Sequence, residues 1–299
     1  MSSTSLAFDK EVFSSCFEGR VPVLFHFQDS TEPVFHLIPR NTYLSLYVEP
    51  LLQRLASPAE DGTVPVLERQ HVHFEHNGTQ LPLGWPVGVL FDLLCRPFPG
   101  DAGLNVGASV PNFKLPFLVT VLYDTAQSKE STFFLTQRPL EATIKLEDAT
   151  LHHWQFSCKM AEHFAYGATE VFFKLPDSVS RQAFGALKDV SSKDYLGVMQ
   201  QFFDRPSHEA PSFLPFRLYV SKSMSCITLP VKPTLEDAGR ATTLGEYITA
   251  VAPSEAAKLN TKLIALIHGI RVPLSTPCLW LMVNMCHADM FVHVVLRHI

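Results

Sequence analysis

The sequence predicts an α+β fold, with two β-grasp domains flanking a helix-rich domain. Three observations carry this reading. One order of elements occurs twice: strand, strand, helix, strand, glycine turn, short strand, helical turn, strand. Gly78, Pro82, Leu83 and Pro86 have the same spacing as Gly269, Pro273, Leu274 and Pro277, and each quartet follows a strand and precedes an apolar helix and a final strand. Such a match at a fixed offset points to an internal duplication. Between the copies lies residues 151–166 (LHHWQFSCKMAEHFAY), where Leu151, Trp154, Cys158, Ala161 and Ala165 recur at the steps of three and four that turn one helix face to a core.

Taken in order, residues 8–18 read as a short amphipathic helix ending at Gly19. Residues 21–27 (VPVLFHF) and 34–39 (VFHLIP) are two strands around a polar turn. Asn41 or Thr42 is placed to cap a helix running to about Ala56, with Pro50 expected to kink or divide it. After a long loop at 57–66 come a strand at 72–76, a turn at Asn77-Gly78 and a short strand at 80–83. Pro86 then suits the first turn of a helix carrying Val89, Leu90, Phe91, Leu93 and Leu94. A second long loop, 96–113, leads to the closing strand at 117–123.

The order returns after the helical region. Residues 213–220 and 226–231 are strands, and Thr243-x-x-Glu246 is a capping box that opens a helix. A strand at 263–268 reaches the Gly269 turn, Thr276-Pro277 starts an apolar helix, and residues 291–296 close the copy. This is the strand order of the ubiquitin-like β-grasp, in which a crossing helix covers a sheet face that hairpins alone would leave wet. The expected division is an N-terminal helical segment at 1–19, a first ubiquitin-like domain at 20–125, a linker and helix-rich domain at 126–205, and a second ubiquitin-like domain at 211–299.

Composition narrows the function. With 46% hydrophobic and 18% charged residues, the 299-residue chain is a folded protein with a large core. Its formal charge of -5 gives no electrostatic case for nucleic acid. The N-terminus lacks the basic start and apolar run of a secretory signal, and the apolar stretch 278–296 is broken by Asn284, His287 and Asp289, so it reads poorly as a membrane span. The six cysteines show no C-x-x-C pair or zinc spacing and read as reduced, buried thiols of a cytosolic protein.

Few residues carry chemistry. His71, His73 and Glu75 share one strand face but lack an evident fourth ligand, and the plainer reading is a wet face opposite Val72 and Phe74. Cys158 with His163 or His153 invites a cysteine-hydrolase reading, yet Cys158 falls on the buried face of its helix. No catalytic residue, cofactor motif or metal set is assigned. On the same helix His152, Gln155, Lys159, Glu162 and Tyr166 form a polar stripe, while Phe156, Met160 and Phe164 form a second apolar ridge, as if the helix were gripped from two sides. Lys159 thus offers an amine on a rigid element. An amine forms an isopeptide bond only when neutral, and an ordinary lysine is almost wholly protonated at neutral pH, so a base or desolvation must come from an incoming enzyme. The chain ends Leu296-Arg297-His298-Ile299, without the flexible glycine tail of a transferable modifier. In a ubiquitin-like pathway it is therefore expected to be an acceptor or an adaptor.

Residues spread over the chain resemble the autophagy protein 5 family. They include Gly19-Arg20-Val21-Pro22, Ile38-Pro39-Arg40 with Tyr43-Leu44, Phe74-Glu75 with Gly78-Thr79, and 86–94 (PVGVLFDLL). Further on they include 215–219 (PFRLY), 243–246 (TLGE), 267–270 (IHGI) and Thr276-Pro277 with Trp280-Leu281. The family's segment aromatic-x-x-Ser/Cys-x-Lys-x-Ala is similar to Trp154 through Ala161 and would place the acceptor on Lys159. The resemblance implies that autophagy protein 12 is joined there by an isopeptide bond. The conjugate would then bind autophagy protein 16, a coiled coil, and work with the conjugating enzyme for autophagy protein 8 to promote its lipidation. It also implies a cytoplasmic protein with peripheral contact at autophagosome precursor membranes. The alternatives are the Cys158 hydrolase and a tandem ubiquitin-like adaptor that binds but is never modified.

Overall fold

The structure is a computed structural model that describes residues 8–28, 32–55, 72–95, 115–123, 145–203, 211–220, 225–235 and 239–298. They divide into two compact units by residue range, 20–90 with 115–154, and 1–19 with 91–114 and 155–299. The expected loops at 57–66 and 96–113, and His71, lie outside the described residues.

The first unit is built on a five-stranded mixed sheet. Strand β1 (Arg20–Phe27) pairs antiparallel with β2 (Val34–Pro39), placing Leu24 opposite Phe35. Two more strands, β3 (Val72–His76) and β4 (Thr79–Gln80), and the closing β5 (Phe117–Tyr123) complete the order β2-β1-β5-β3-β4, with β1 and β5 parallel. Alternation makes the core: Val21, Val23, Phe25 and Phe27 are buried on β1, Val72 and Phe74 on β3, and Phe117, Val119 and Val121 on β5. The other face is wet and partly apolar, with Phe35, Leu37 and Leu118 exposed.

After β2 the chain enters a 3-10 turn (Leu44–Tyr47) and then α2 (Val48–Leu55). Pro50 does not divide α2; it occupies the first turn, where its missing N–H costs little, and the change of helix type falls just before it. Neither expected cap serves here: the Thr42 hydroxyl donates to the Pro39 carbonyl at 2.8 Å, and the residue before the 3-10 turn is Tyr43. The helix α3 (Val87–Leu94) starts one residue after Pro86. A side chain at Gly88 would have its Cβ 2.8 Å from the Arg40 Cβ, so only glycine lets α3 come this close.

In the other unit, α1 (Lys10–Phe17) is capped by Asp9, whose carboxylate accepts from the Glu11 and Val12 amides. Helix α4 (Leu146–Tyr166) enters this unit from Gln155 on and is followed by α5 (Glu170–Lys174), α6 (Asp177–Asp189) and α7 (Ser192–Phe203). Tyr195 of α7 stacks its ring on Phe13 and approaches Phe17 at 4.8 Å, while its hydroxyl donates to the Ala288 carbonyl at 2.6 Å.

The second sheet comprises β6 (Phe216–Val220), β7 (Ser225–Ile227), β10 (Leu263–Ile267), β11 (Ile270–Arg271) and β12 (Val292–His298), in the order β11-β10-β12-β6-β7. A small ribbon, β8 (Thr234–Leu235) with β9 (Arg240–Ala241), precedes α8 (Leu244–Val251), and α9 (Pro253–Ala256) and α10 (Cys278–Asn284) complete the unit. Unlike the first sheet, this one has central strands covered on both faces: all five residues of β10 are buried, as its unbroken apolar run requires, while the edge strands β7 and β11 stay partly or fully exposed. Strand β6 starts at Phe216 rather than 213, and the following strand is shorter and earlier than its sequence pattern indicated.

The two sheets repeat one arrangement in detail. The turns after β3 and β10 both have positive φ at two successive residues, Asn77 and Gly78 (50° and 75°) and His268 and Gly269 (52° and 77°). Pro86 bridges to Tyr43 as Pro277 bridges to Thr243, and the Val87 and Cys278 amides donate to the Thr42 and Thr242 carbonyls at 2.8 Å each. The predicted capping box is formed, with the Thr243 hydroxyl accepting from the Glu246 amide and the Glu246 carboxylate accepting from the Thr243 amide.

One buried network appears that no sequence pattern announced. Asp289 is 2% exposed and accepts from Arg217 Nη1 at 3.0 Å, from His293 Nε2 at 2.9 Å and from the Phe291 amide at 3.2 Å. The Tyr219 hydroxyl lies 2.9 Å from His293 Nδ1, which suits a neutral imidazole that accepts there and donates to Asp289. Burial pushes the His293 pKa down from its ordinary 6.5. Burial alone would raise the Asp289 carboxyl, but His293, Arg217 and the Phe291 amide outweigh it and hold the group at about 2. Both folded values lie below the unfolded ones, so both contributions are present at neutral pH and disappear on acidification. Thermal unfolding followed by circular dichroism is expected to show the melting temperature falling as pH drops below about 6.5, and again below about 4. Asp289→Ala is expected to cost about 3–5 kcal/mol, because it leaves the largely covered Arg217 and the buried His293 without that acceptor. A variant as stable as wild type at neutral pH would show that the network contributes nothing.

Candidate lysine acceptor site

Helix α4 places the candidate site. Its predicted core face is buried as the spacing requires, with Trp154 and Cys158 inaccessible and Leu151, Ala161 and Ala165 nearly so. Among the described residues the expected second grip is not formed: Phe156 is 58% and Met160 42% exposed, and of that ridge only Phe164 is partly covered, with its ring 6.1 Å from that of Phe213. The helix is therefore held along one side, and Lys159 stands partly exposed on the other.

The polar stripe needs one correction. Glu162 is 5% exposed, and its two carboxylate oxygens accept from the Val171 and Phe172 amides at 2.8 and 2.9 Å. These are donors of the first turn of α5, where Thr169 provides no side-chain cap, and a carboxylate there also meets the positive end of the helix dipole. The bond anchors α5 beside α4. It places Phe173, itself 75% exposed, with its ring centroid 5.5 Å from Lys159 Nζ. Sequence reasoning missed Phe173, because it is 14 residues away on another helix. Among the described residues Lys159 has no carboxylate partner, since Glu162, its natural neighbour one turn on, is engaged elsewhere.

The hydrolase constellation is not brought together. Cys158 donates its thiol to the Ala288 carbonyl at 3.7 Å, and burial, followed by the charge of Asp289, drives its pKa well above the ordinary 9.0. His153 directs Nε2 to the Gly84 carbonyl at 2.9 Å, and His163 lies exposed on the helix surface. A thiol that is neither ionised nor reachable is no nucleophile. Iodoacetamide labelling of the native protein read by mass spectrometry is expected to modify the exposed Cys226, slowly because partial burial of its thiol raises the pKa, and to leave Cys158 intact until unfolding. Rapid native labelling of Cys158 would restore the nucleophile reading. On β3, Val72 and Phe74 are buried while His73 and Glu75 lie on the half-open face, 3.9 Å apart, and no cluster of three metal-ligating side chains occurs among the described residues.

Comparison with known proteins agrees with this architecture. Residues 16–123 match the family described as "Autophagy protein ATG5, UblA domain", and residues 213–296 match "Autophagy protein ATG5, UblB domain". The chain is 23% identical to autophagy-related protein 5 of Caenorhabditis elegans, covering 96% of this chain and 98% of that one. It is 24% identical to autophagy protein 5 of Aspergillus fumigatus, over 90% and 87% of the two chains. The crystal structure of Kluyveromyces marxianus Atg5 superposes with a TM-score of 0.69 at 18% identity, covering 97% of this chain and all of that one, which supports the fold. Two ubiquitin-like sheets with a helical region between them in sequence, matched across both copies, place this chain in the autophagy protein 5 family.

Proposed function

We propose that this chain is a non-enzymatic scaffold of autophagy whose Lys159 accepts the terminal glycine of autophagy protein 12 through an isopeptide bond. The conjugate binds autophagy protein 16 and promotes transfer of autophagy protein 8 from its conjugating enzyme to phosphatidylethanolamine, at the surface of autophagosome precursor membranes. The ligase-like activity belongs to the assembled conjugate. In this reading the chain divides at 1–19, 20–125, 126–205 and 211–299. Peripheral attachment fits the absence, among the described residues, of any helix long and apolar enough to cross a membrane.

The observation that carries the reading is the setting of Lys159. It is a partly exposed amine on a 21-residue helix whose opposite side is anchored by Trp154 and Cys158, and no described carboxylate pairs with it. An acceptor must present its amine rigidly and leave it free to enter a partner's catalytic site. The test is reconstitution with the cognate modifier, its activating and conjugating enzymes and ATP, read on a denaturing gel. One band shifted by the mass of a single modifier is expected. If no adduct forms while the modifier still co-purifies, the chain is a non-covalent adaptor.

A further inference from the structure

Three apolar side chains on the helices beside Lys159 are left in water, with the partly exposed Gln155 and the exposed His163 one turn to either side of it on α4. Phe156 precedes it by three residues on α4, Met160 follows it, and Phe173 reaches over from α5; they are 58%, 42% and 75% exposed. Isolated exposed apolar residues need no explanation. Three on the stretch that carries one amine do, and the one whose ring centroid lies 5.5 Å from that amine, Phe173, is delivered by a dedicated contact, the Glu162 carboxylate on the α5 amides.

The chemistry of transfer gives these residues a role. An ammonium cannot attack a carbonyl, and removing water from around it favours the neutral amine. In the uncovered chain the lysine is partly exposed, and the face of the Phe173 ring keeps a favourable contact with its charge. A partner seated over the lysine would press the three apolar side chains around the amine and exclude water. Glu162, which at one helical turn would have held the ammonium in its charged form, is turned away.

Building on the reading of Lys159 as acceptor, we infer that Phe156, Met160 and Phe173 form an apolar collar that dehydrates the Lys159 amine when the conjugating enzyme covers it. Glu162 is the positioning residue that sets Phe173 in the collar. In the step itself the ammonium loses a proton to solvent, and the amine nitrogen attacks the thioester carbonyl of the modifier's terminal glycine. The C–N bond forms as the C–S bond breaks. The conjugating enzyme's cysteine leaves as thiolate, and the second amine proton passes to it or to solvent.

The test is single-turnover discharge of the preloaded modifier thioester onto the full chain, followed from about pH 6 to about pH 9. Phe173→Ser is expected to slow discharge about threefold to tenfold near neutral pH, the equivalent of half to one pH unit, with the loss fading as pH rises. Phe173→Leu should recover most of the rate, and Phe156→Ser should repeat the pattern. Glu162→Gln, which weakens the anchor of α5, should shift the profile in the same direction. Discharge onto free lysine must stay unchanged throughout, and melting curves of the exposed-site variants must overlay wild type. A Lys159-dependent adduct whose rate ignores Phe173 and Phe156, or falls equally at every pH, overturns the collar alone. An adduct that still forms on Lys159→Arg overturns the acceptor reading and the collar with it.

Discussion

Lys159→Arg is expected to abolish the covalent adduct while leaving the fold and the binding of the coiled-coil partner intact. The guanidinium is delocalised and stays protonated far above neutral pH, so arginine cannot serve as the attacking amine. It keeps the charge and most of the apolar stem, and its helix propensity is close to that of lysine. The position is partly exposed, and the contact of its charge with the Phe173 ring is one that arginine also makes. The stability change should therefore stay within about 0.5 kcal/mol, a melting shift of under about 2 °C. Melting must be recorded on the sample used for conjugation, since loss of adduct with loss of fold would say nothing about the acceptor. If a stable variant still forms the adduct, the exposed Lys145 or Lys174 becomes the site to test, although Lys174 already faces Glu170 at 3.4 Å.

Trp154→Ala should have the opposite signature, a large loss of stability. Its side chain is inaccessible to water, on the same face of α4 as Leu151, Cys158 and Ala161. Removing a buried indole forfeits its transfer free energy and leaves a cavity that surrounding side chains only partly fill, a cost of about 3–5 kcal/mol. Urea unfolding followed by fluorescence or circular dichroism measures it directly, as a lower midpoint with an unchanged slope. A difference within about 0.5 kcal/mol, typical of surface sites, would mean that the anchored face of α4 is wrongly assigned. Because α4 also carries Lys159, an unstable Trp154→Ala protein should lose conjugation through loss of the helix, whereas Lys159→Arg loses it with the helix intact.

The legible parts of this protein are those governed by local backbone chemistry. Asn77-Gly78 and His268-Gly269 need positive φ, a demand that glycine meets without strain, so the repeated Gly/Pro spacing marks the duplicated turns in the sequence itself. The capping box at Thr243 and Glu246 was legible for the same reason, its partners being three residues apart. The period of α4 identified Trp154 and Cys158 as core because a helix turns every 3.6 residues whatever surrounds it. Lys159 was nameable as acceptor only through the family-like segment around it, since an exposed lysine has no pattern of its own.

Tertiary structure decided everything that depends on partners distant in sequence. Periodicity shows that Phe156 and Met160 share a stripe, but not whether another element covers that stripe; none does so fully among the described residues. Glu162 falls by spacing in the polar stripe of α4, yet its partners are the amides of Val171 and Phe172 on the next helix, beyond the positive-φ Gly167. Asp289 reads from sequence as an interruption of an apolar stretch, yet His293 in that stretch and Arg217, 72 residues from Asp289 along the chain, join it in a satisfied buried network. A local pattern constrains the backbone because each residue's conformational choice depends mainly on its own side chain and its neighbours. Burial and hydrogen bonding of side chains depend on which surfaces meet, and that is settled only when the chain has folded.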